Sequence, residues 1–430
     1  MSEIKSNECV AMILAGGRGE RLGSLTNGVA KPLVFYGGNY RIIDFTLSNC
    51  YHSGIGDIGI LTQHLSTGLH AYIEDGSAWN LSNRICVLPA ERKSAKYVGT
   101  ADAVYRNLDY IERLSPKHVL ILSCDHIYKM NYNDLLKFHN SSDADMTIAS
   151  VDIPFSETSG YGIISADGDG RVTGFQEKPK ETRSTLASMG VYVFKWETLR
   201  KHIIADHYER ESANDFGHDL IPMLLTTHKG VFTYRFYGYW RDVGTVESLW
   251  KSNMDLLRDP PEFSVRGDGW DIYTAFRRRL PGRTARDTQI SAKHSILSGA
   301  HSIKGLVEHS VISDSVIISE GAEVVESVIM PNVYIGPKTR LYRTIVGSDA
   351  NIMSGVEIGC DSGSDRYISN SLCASDVSLI GPGSSIFENV KLQKKSHVPS
   401  GSLVETDKQH KYMRLDYNGN AKSAPVGALL

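Results

Sequence analysis

A doubly wound, mostly parallel α/β sheet followed by a left-handed parallel β-helix is the fold class this sequence predicts, on three observations. From Val10 to about Leu257, short β-rich runs alternate with helix-like stretches. A segment rich in Pro, Gly and Arg follows. From about Ile290 the chain turns helix-poor and places an aliphatic residue near every sixth position. Strand–helix alternation is the grammar of a parallel sheet covered on both faces. A six-residue period is the grammar of a hexapeptide β-helix. The expected layout is a first domain over 8–257, a linker over 258–289, a β-helix over 290–400 and a tail over 401–430.

In the first domain VAMILA, DIGILT, VLILS, MTIASV, GIISA and MGVYVF read as strands of four to six residues. Ala101, Val104, Leu108 and Ile111 recur at helical spacing behind Thr100, the expected N-cap. A further helix is expected to start at Thr245. In the second domain Ile312, Ile318, Val324 and Met330 keep six-residue spacing. Ile335 and Leu341 resume it after a one-residue slip, as do Ile352 and Ile358. The apolar member of each step is expected to point inward.

Composition bounds the function. With 430 residues, 41% hydrophobic and 22% charged, the chain has material for a substantial core. A net charge of −3 gives no general reason to bind nucleic acid. No stretch approaches the ~20 apolar residues of a membrane span. The N-terminus lacks the small-residue cleavage site of a signal peptide. Cys9, Cys50, Cys86, Cys124, Cys360 and Cys373 form no Cys-x-x-Cys pair, which fits a reducing compartment and makes the cytoplasm the expected location.

The first strand ends in LAGGRGERL, Leu14 to Leu22. Gly16, Gly17 and Gly19 permit positive φ and close approach of backbone amides to an anion. Two common glycine patterns fail here. A dinucleotide fingerprint needs a third glycine where Leu22 stands, and a Walker loop needs a Gly-Lys pair that the chain lacks. Arg18, Arg21 and then Lys31 add cations to the same region. Asp125 follows the run VLILSC, at the end of a strand where ligands gather. Mg²⁺ is usually held by one or two carboxylates plus phosphate oxygens. Asp242, in GYWRDVGT, is the best second carboxylate. Glu177, Lys178 and Pro179 close another strand, where a lysine could clamp a phosphate monoester as a point charge.

LAGGRGERL, AKPLV, RIIDFTLSNC, ILTQH, YVGTADAV, SCDHIYKMNY, FQEKP, LASMGVYVF, NDFGHDLIP and YWRDVGTVESLW occur in this order over about residues 9–360. Together with the hexapeptide segment they resemble the bacterial glucose-1-phosphate adenylyltransferases. The resemblance implies a nucleotide-diphospho-sugar transferase-like first domain, Mg²⁺ as cofactor, ATP and glucose 1-phosphate as substrates, and a role in glycogen synthesis. It implies nucleotide contacts at Leu14, Ala15, Gly16, Gly17, Arg18, Gly19 and Tyr97. It implies sugar-phosphate contacts at Gly162, Glu177, Lys178 and Ser188. Arg21, Lys31 and Asp125 become catalytic, with Asp125 and Asp242 as metal ligands. A homotetramer, or a mixed tetramer with a paralogous subunit, is implied as well.

The departures bear on regulation. Gly28 and Val29 stand where many relatives carry basic residues for a phosphorylated sugar activator. Arg277, Arg278, Arg279, Arg283 and Arg286 could bind an anionic effector, although a solvated linker is the simpler reading. Glu20 puts an acid in the Gly-rich loop, and Lys96-Tyr97-Val98 replaces a Trp-Tyr pattern. Alternatives are a related transferase using UTP, dTTP or GTP, a non-catalytic regulatory subunit, and an acyltransferase built on His294, His301 and His309.

Overall fold

The computed structural model describes residues 8–90, 96–227, 230–276, 291–360, 376–406, 412–415 and 421–422. The linker arginines 277–286, Cys373 and most of the tail beyond 406 lie outside the described residues. The chain divides into two units. One comprises Met1–Gly17, Ile43–Trp240 and Trp270–Ala275, and the other Arg18–Ile42, Arg241–Gly269 and Phe276–Leu430.

The first unit is built on a nine-stranded sheet. Its strands are β1 (Cys9–Ala15), β2 (Asp57–Thr62), β3 (Ile85–Pro89), β4 (His118–Ser123), β5 (Met146–Asp152), β6 (Gly162–Ala166), β7 (Val172–Glu177), β8 (Leu186–Lys195) and β9 (Val231–Arg235). All six strands read from the sequence are present. β1 is parallel to both β2 and β4, and β3 and β9 also join their neighbours in parallel. β8 runs antiparallel to β4, β5 and β6, so the doubly wound sheet carries an antiparallel insertion near its centre. The inner residues of β1, Val10 to Ile13, are at most 1% exposed, which explains their unbroken apolar run.

Thr100 does not cap the helix behind it. Gly99 holds the N-cap position and Thr100 is the first residue of helix Thr100–Tyr105. Its hydroxyl instead donates to Asp215 Oδ2 at 2.8 Å and accepts from Phe216 N at 3.0 Å. The segment then breaks, and a second helix covers Leu108–Leu114. A Cβ at Gly99 would lie 2.3 Å from Asn214 O, so the backbone of that segment passes too close for any other residue. Thr245 does cap as expected, in a capping box over helix Val246–Asp255.

In the second unit three parallel sheets of short strands form the β-helix. Its inward row is Val307, Ile312, Ile318, Val324, Ile329, Ile335, Leu341, Val346, Ile352 and Ile358, each no more than 1% exposed. Met330, expected on that row, is not part of it, because Ile329 fills the place. Between Leu306 and Ile358 the coil period is 17 residues rather than 18, as in the pairing of Leu306 with Glu323 and Glu323 with Arg340, whereas the first coil takes 15 and the last, Leu379 to His397, takes 18. One side of the triangle is a residue short, which displaces the strict six-residue count. At that corner His309, Glu326 and Arg343 adopt positive φ. Each is followed by a fully buried Ser310, Ser327 or Thr344. Ser327 N donates to Ser310 Oγ at 3.0 Å and Thr344 N to Ser327 Oγ at 3.1 Å. This ladder satisfies amides that the tight corner would otherwise bury unpaired. Among the described residues no helix is long and apolar enough to cross a membrane.

Candidate active site

Two adjacent strands of the first unit end side by side. β1 and β4 are parallel with Leu14 opposite Ser123. The Gly-rich turn after Ala15 and the turn carrying Asp125 therefore leave from neighbouring C-terminal ends, where open α/β sheets gather ligands. Cys124 Sγ donates to the Leu14 carbonyl at 3.1 Å and ties the two turns together. Ala15 is buried, Gly16 half-buried and Gly17 exposed, so the turn opens outward along the glycines. A Cβ at Gly16 would sit 3.5 Å from Gln63 Cβ, at the end of β2.

The Asp125 carboxylate accepts from the Ser123 hydroxyl and lies 3.3 Å from His126 Nε2. About a third of its side chain is exposed. Gly190 explains how the turn fits: β8 has a register shift between Ser188 and Tyr192, and Gly190 within it has φ 66°. A Cβ there would lie 3.1 Å from Ser123 Cβ and 3.4 Å from His126 Cε1.

The four expected sugar-phosphate residues come from β6, β7 and β8. Gly162 pairs with Glu177, and the next residue of β6, Ile163, pairs with Ala187 beside Ser188. A Cβ at Gly162 would meet Glu177 Oε2 at 2.9 Å, and one at Gly217 would meet it at 2.5 Å. The carboxylate is thus wedged between two glycine backbones. Lys178 has φ 44°, its amide donates to Tyr161 O at 3.0 Å, and its exposed ammonium lies 3.1 Å from Glu177 Oε1. Ser188 Oγ donates to Tyr192 OH at 3.2 Å in a buried position. Tyr97 is different. Its ring joins the core, and its hydroxyl donates to Leu88 O at 3.1 Å and accepts from Asn107 Nδ2 at 3.0 Å. Its amide donates to Gln63 Oε1 at 2.6 Å, so what it offers the loop region is backbone geometry.

In the second unit the loop continues from Arg18. Gly19 has φ 68°, and its carbonyl accepts from Leu22 N at 2.9 Å and from Thr26 Oγ1 at 3.0 Å. Arg18 is exposed and forms a 3.5 Å pair with Glu20, also exposed. Such an exposed pair is worth little. Lys31 is buried at 6% exposure in the turn Lys31–Leu33, with its ammonium 4.0 Å from Asp242 Oδ1. A Cβ at Gly244 would lie 2.8 Å from Arg21 Nη2 and 2.9 Å from Asp242 Oδ1. Arg21 and Asp242 thereby meet at a bare backbone position, and Lys31 joins them through its pair with Asp242.

Asp242 Oδ1 is buried without a hydrogen-bond partner. The Lys31 ammonium 4.0 Å away offsets its charge without occupying it as a hydrogen-bond donor, and carboxylate oxygens are what Mg²⁺ prefers. Asp242 therefore fits a metal ligand. Sequence reasoning missed two residues. His126 is 8% exposed, has Nδ1 buried without a partner, and packs its ring 4.9 Å from Trp240. Gln63 accepts from the Tyr97 amide at 2.6 Å, and its Cβ lies 3.5 Å from where a Cβ on Gly16 would sit. Both follow directly on strand-end positions, His126 after Asp125 and Gln63 after Thr62, and that placement was the available signal.

A family model described as nucleotidyl transferase matches residues 10–259, and one described as the GlmU-like C-terminal hexapeptide matches 282–380. The chain is 42% identical over 412 residues to a glucose-1-phosphate adenylyltransferase of Desulforamulus reducens, covering 94% of this chain and 98% of that one. It is 42% identical to one from Acetivibrio thermocellus, over 87% of this chain and 89% of the relative. It is 45% identical to one from Bacillus cereus, over 82% of this chain and 95% of the relative. With the Gly-rich turn, the Asp125 turn and the Lys31–Asp242 cluster in place, the chain belongs to the nucleotidyl transferase family, among the glucose-1-phosphate adenylyltransferases.

Proposed function

We propose that Arg18, Arg21 and Lys31 hold the triphosphate of ATP, that Glu177 and Lys178 hold glucose 1-phosphate, and that Asp125 and Asp242 are the Mg²⁺ ligands. The activity is adenylyl transfer: a phosphate oxygen of glucose 1-phosphate attacks the α-phosphorus of ATP, pyrophosphate leaves, and ADP-glucose forms for glycogen synthesis. The observation that carries the assignment is the buried Lys31 ammonium 4.0 Å from Asp242 Oδ1, an oxygen with no hydrogen-bond partner, with Arg21 and Asp242 both beside the bare backbone of Gly244.

The chemistry asks for little proton transfer. The attacking oxygen is already anionic at neutral pH, so no general base is needed. What remains is positioning two polyanions and neutralising charge as pyrophosphate departs. Lys31 is suited to this because burial makes its charge act through a low dielectric. The Asp242 carboxylate lies 4.0 Å from the Lys31 ammonium. Arg21 adds a planar donor fork for phosphate oxygens. Lys178 acts from an exposed stem, as a point charge on the monoester. Ser123 and His126 hold the Asp125 carboxylate in one orientation. When bound, Mg²⁺ would supply charge neutralisation and a fixed alignment of phosphate oxygens.

Assembly as a tetramer through the β-helix, and residence in the cytoplasm, belong to the same proposal. The test is pyrophosphate release by the purified chain with glucose 1-phosphate, Mg²⁺ and each of ATP, UTP, dTTP and GTP. ATP is expected to be preferred strongly. Equal use of UTP or dTTP would overturn the adenylyl assignment, and no turnover with any nucleotide would favour the regulatory subunit.

A further inference from the structure

Within the second unit, the segment that carries Arg21 and Lys31 is fastened to the last coil of the β-helix by polar contacts at Ser24. Ser24 Oγ lies 2.8 Å from His397 Nε2, with the two residues 6% and 8% exposed. Ser24 Oγ also lies 3.4 Å from the Val398 carbonyl, and the Ser24 carbonyl accepts from Ser400 Oγ at 2.9 Å. All these contacts are satisfied together if His397 carries its proton on Nε2 and donates to Ser24 Oγ, which in turn donates to Val398 O. Nearly four hundred residues of sequence separate the partners, so this is a designed long-range tie rather than a local turn.

What the tie holds is a closed knot. Thr26 Oγ1 donates to the Gly19 and Gly23 carbonyls at 3.0 and 3.1 Å. Asn27 N donates to Ser24 O at 3.3 Å. Thr26 and Lys31 both pack against the space above Gly19. Leu22, Ser24 and Leu25 face inward, while Arg21 is exposed on the other side. A shift at Ser24 therefore moves the backbone between Gly19 and Lys31 as one piece.

We infer that His397 is a positioning residue for the nucleotide half of the site: by fixing Ser24 it fixes where Arg21 and Lys31 present their charges to the triphosphate. The inference rests on the reading of Arg21 and Lys31 as triphosphate ligands. It gives the β-helix a part in substrate binding beyond assembly, through a contact that a change in the last coil could loosen.

The test compares His397→Ala, His397→Gln, Ser24→Ala and the Ser24→Ala/His397→Ala double variant, with Lys31→Ala alongside and Lys391→Ala as a control on the same coil. KM for ATP, KM for glucose 1-phosphate and kcat are measured for each, with thermal melting and oligomeric state as fold controls. Losing a buried hydrogen bond of this kind predicts an ATP KM raised about tenfold in His397→Ala. The glucose 1-phosphate KM should stay within about twofold, while melting falls by only the few degrees that one buried hydrogen bond accounts for. His397→Gln, which keeps a donor at similar reach, should recover most of the ATP KM. The double variant should be no worse than the worse single one, since the two share one interaction. Unchanged ATP KM in His397→Ala with a raised ATP KM in Lys31→Ala would overturn the inference and leave the nucleotide reading standing. Equal rises in both substrate KM values with a lowered melting temperature would reduce His397 to a structural residue. Unchanged ATP KM and kcat in Lys31→Ala would remove the reading underneath.

Discussion

The Gly-rich turn and the segment after it offer a graded test, because their glycines differ in what a methyl group would meet. Gly28 has φ +81° with nothing within 4 Å of an added Cβ. Gly28→Ala therefore adds left-handed strain alone, about 1–2 kcal/mol. The stiffer unfolded chain offsets about 0.4–1 kcal/mol of it, leaving a net loss of at most about 1.6 kcal/mol. Gly19 has φ +68° and would place Cβ 2.9 Å from Thr26 Cγ2 and 3.0 Å from Lys31 Cβ. Neither neighbour can yield freely. Thr26 is held by its hydroxyl bonds to the Gly19 and Gly23 carbonyls, and Lys31 is buried. Overpacking adds about 1–3 kcal/mol, so Gly19→Ala should cost about 2–4 kcal/mol in all. Gly17 lacks positive φ and meets nothing, so Gly17→Ala should be neutral to folding within about 1 kcal/mol. The assay is urea unfolding of the three variants together with KM for ATP. Gly19→Ala should also raise the ATP KM, because the displaced residue is Lys31. Equal losses for Gly19→Ala and Gly28→Ala would refute the claim that contact with Lys31 and Thr26 matters.

Asp125→Asn keeps shape while removing the charge, so ADP-glucose synthesis should fall at least ~10²–10³-fold with unchanged melting; near-normal turnover would remove Asp125 from the site. Lys178→Ala should raise the glucose 1-phosphate KM by at least ~10-fold and leave the ATP KM alone, since the exposed ammonium contributes one charge-assisted contact; a change confined to ATP would reverse its role. His139 makes a pH prediction. Burial, then His118 and Lys195, lowers its pKa from 6.5 to about 3. The unfolded chain therefore binds the extra proton between those values, and stability contributed by neutral His139 is present above about pH 6.5 and lost as pH falls toward 3. Between pH 7 and 5 the loss is about 2 kcal/mol. His139→Gln should flatten that acid limb in urea titrations, and an unaltered slope would show that another group sets it.

Much of the fold was legible because its signals are periodic and local. Unbroken apolar runs such as VAMILA and VLILS need both faces covered, and each became a buried strand. The antiparallel course of β8 was not legible, because strand composition carries no direction. The 17-residue coil was misread at Met330 for a related reason: two adjacent apolar residues let a six-residue count survive where the corner is one residue short. Thr100 was read as a cap on residue type alone. Its hydroxyl is committed to Asp215 and Phe216, more than a hundred residues away, which no local rule can see. At the site, the Gly-rich turn and Asp125 were readable from their position after apolar strands. His126 and Gln63 were not singled out, because their roles depend on neighbours brought in by other strands.

The units divide the chain inside the Gly-rich turn, between Gly17 and Arg18, and again between Trp240 and Arg241. Gly16, Gly17 and Asp125 are thus positioned by sheet packing, while Gly19, Arg21, Lys31 and Asp242 are positioned by the unit containing the β-helix. Within that unit the anchoring is specific. Trp250, on the helix that follows Asp242, donates through Nε1 to Glu326 O at 2.7 Å. Ser313 Oγ donates to Gly38 O at 2.7 Å, and a Cβ at Gly38 would collide with Ser298. Backbone approach this close leaves no slack for the segment between Gly19 and Ile42 to drift on its coil. Substitutions at these anchors should consequently be read first in nucleotide parameters, and those at Gly162, Gly190 or Gly217 first in sugar-phosphate parameters. That split follows from which frame holds each charge, and it would fail if Trp250→Phe shifted the glucose 1-phosphate KM as much as the ATP KM.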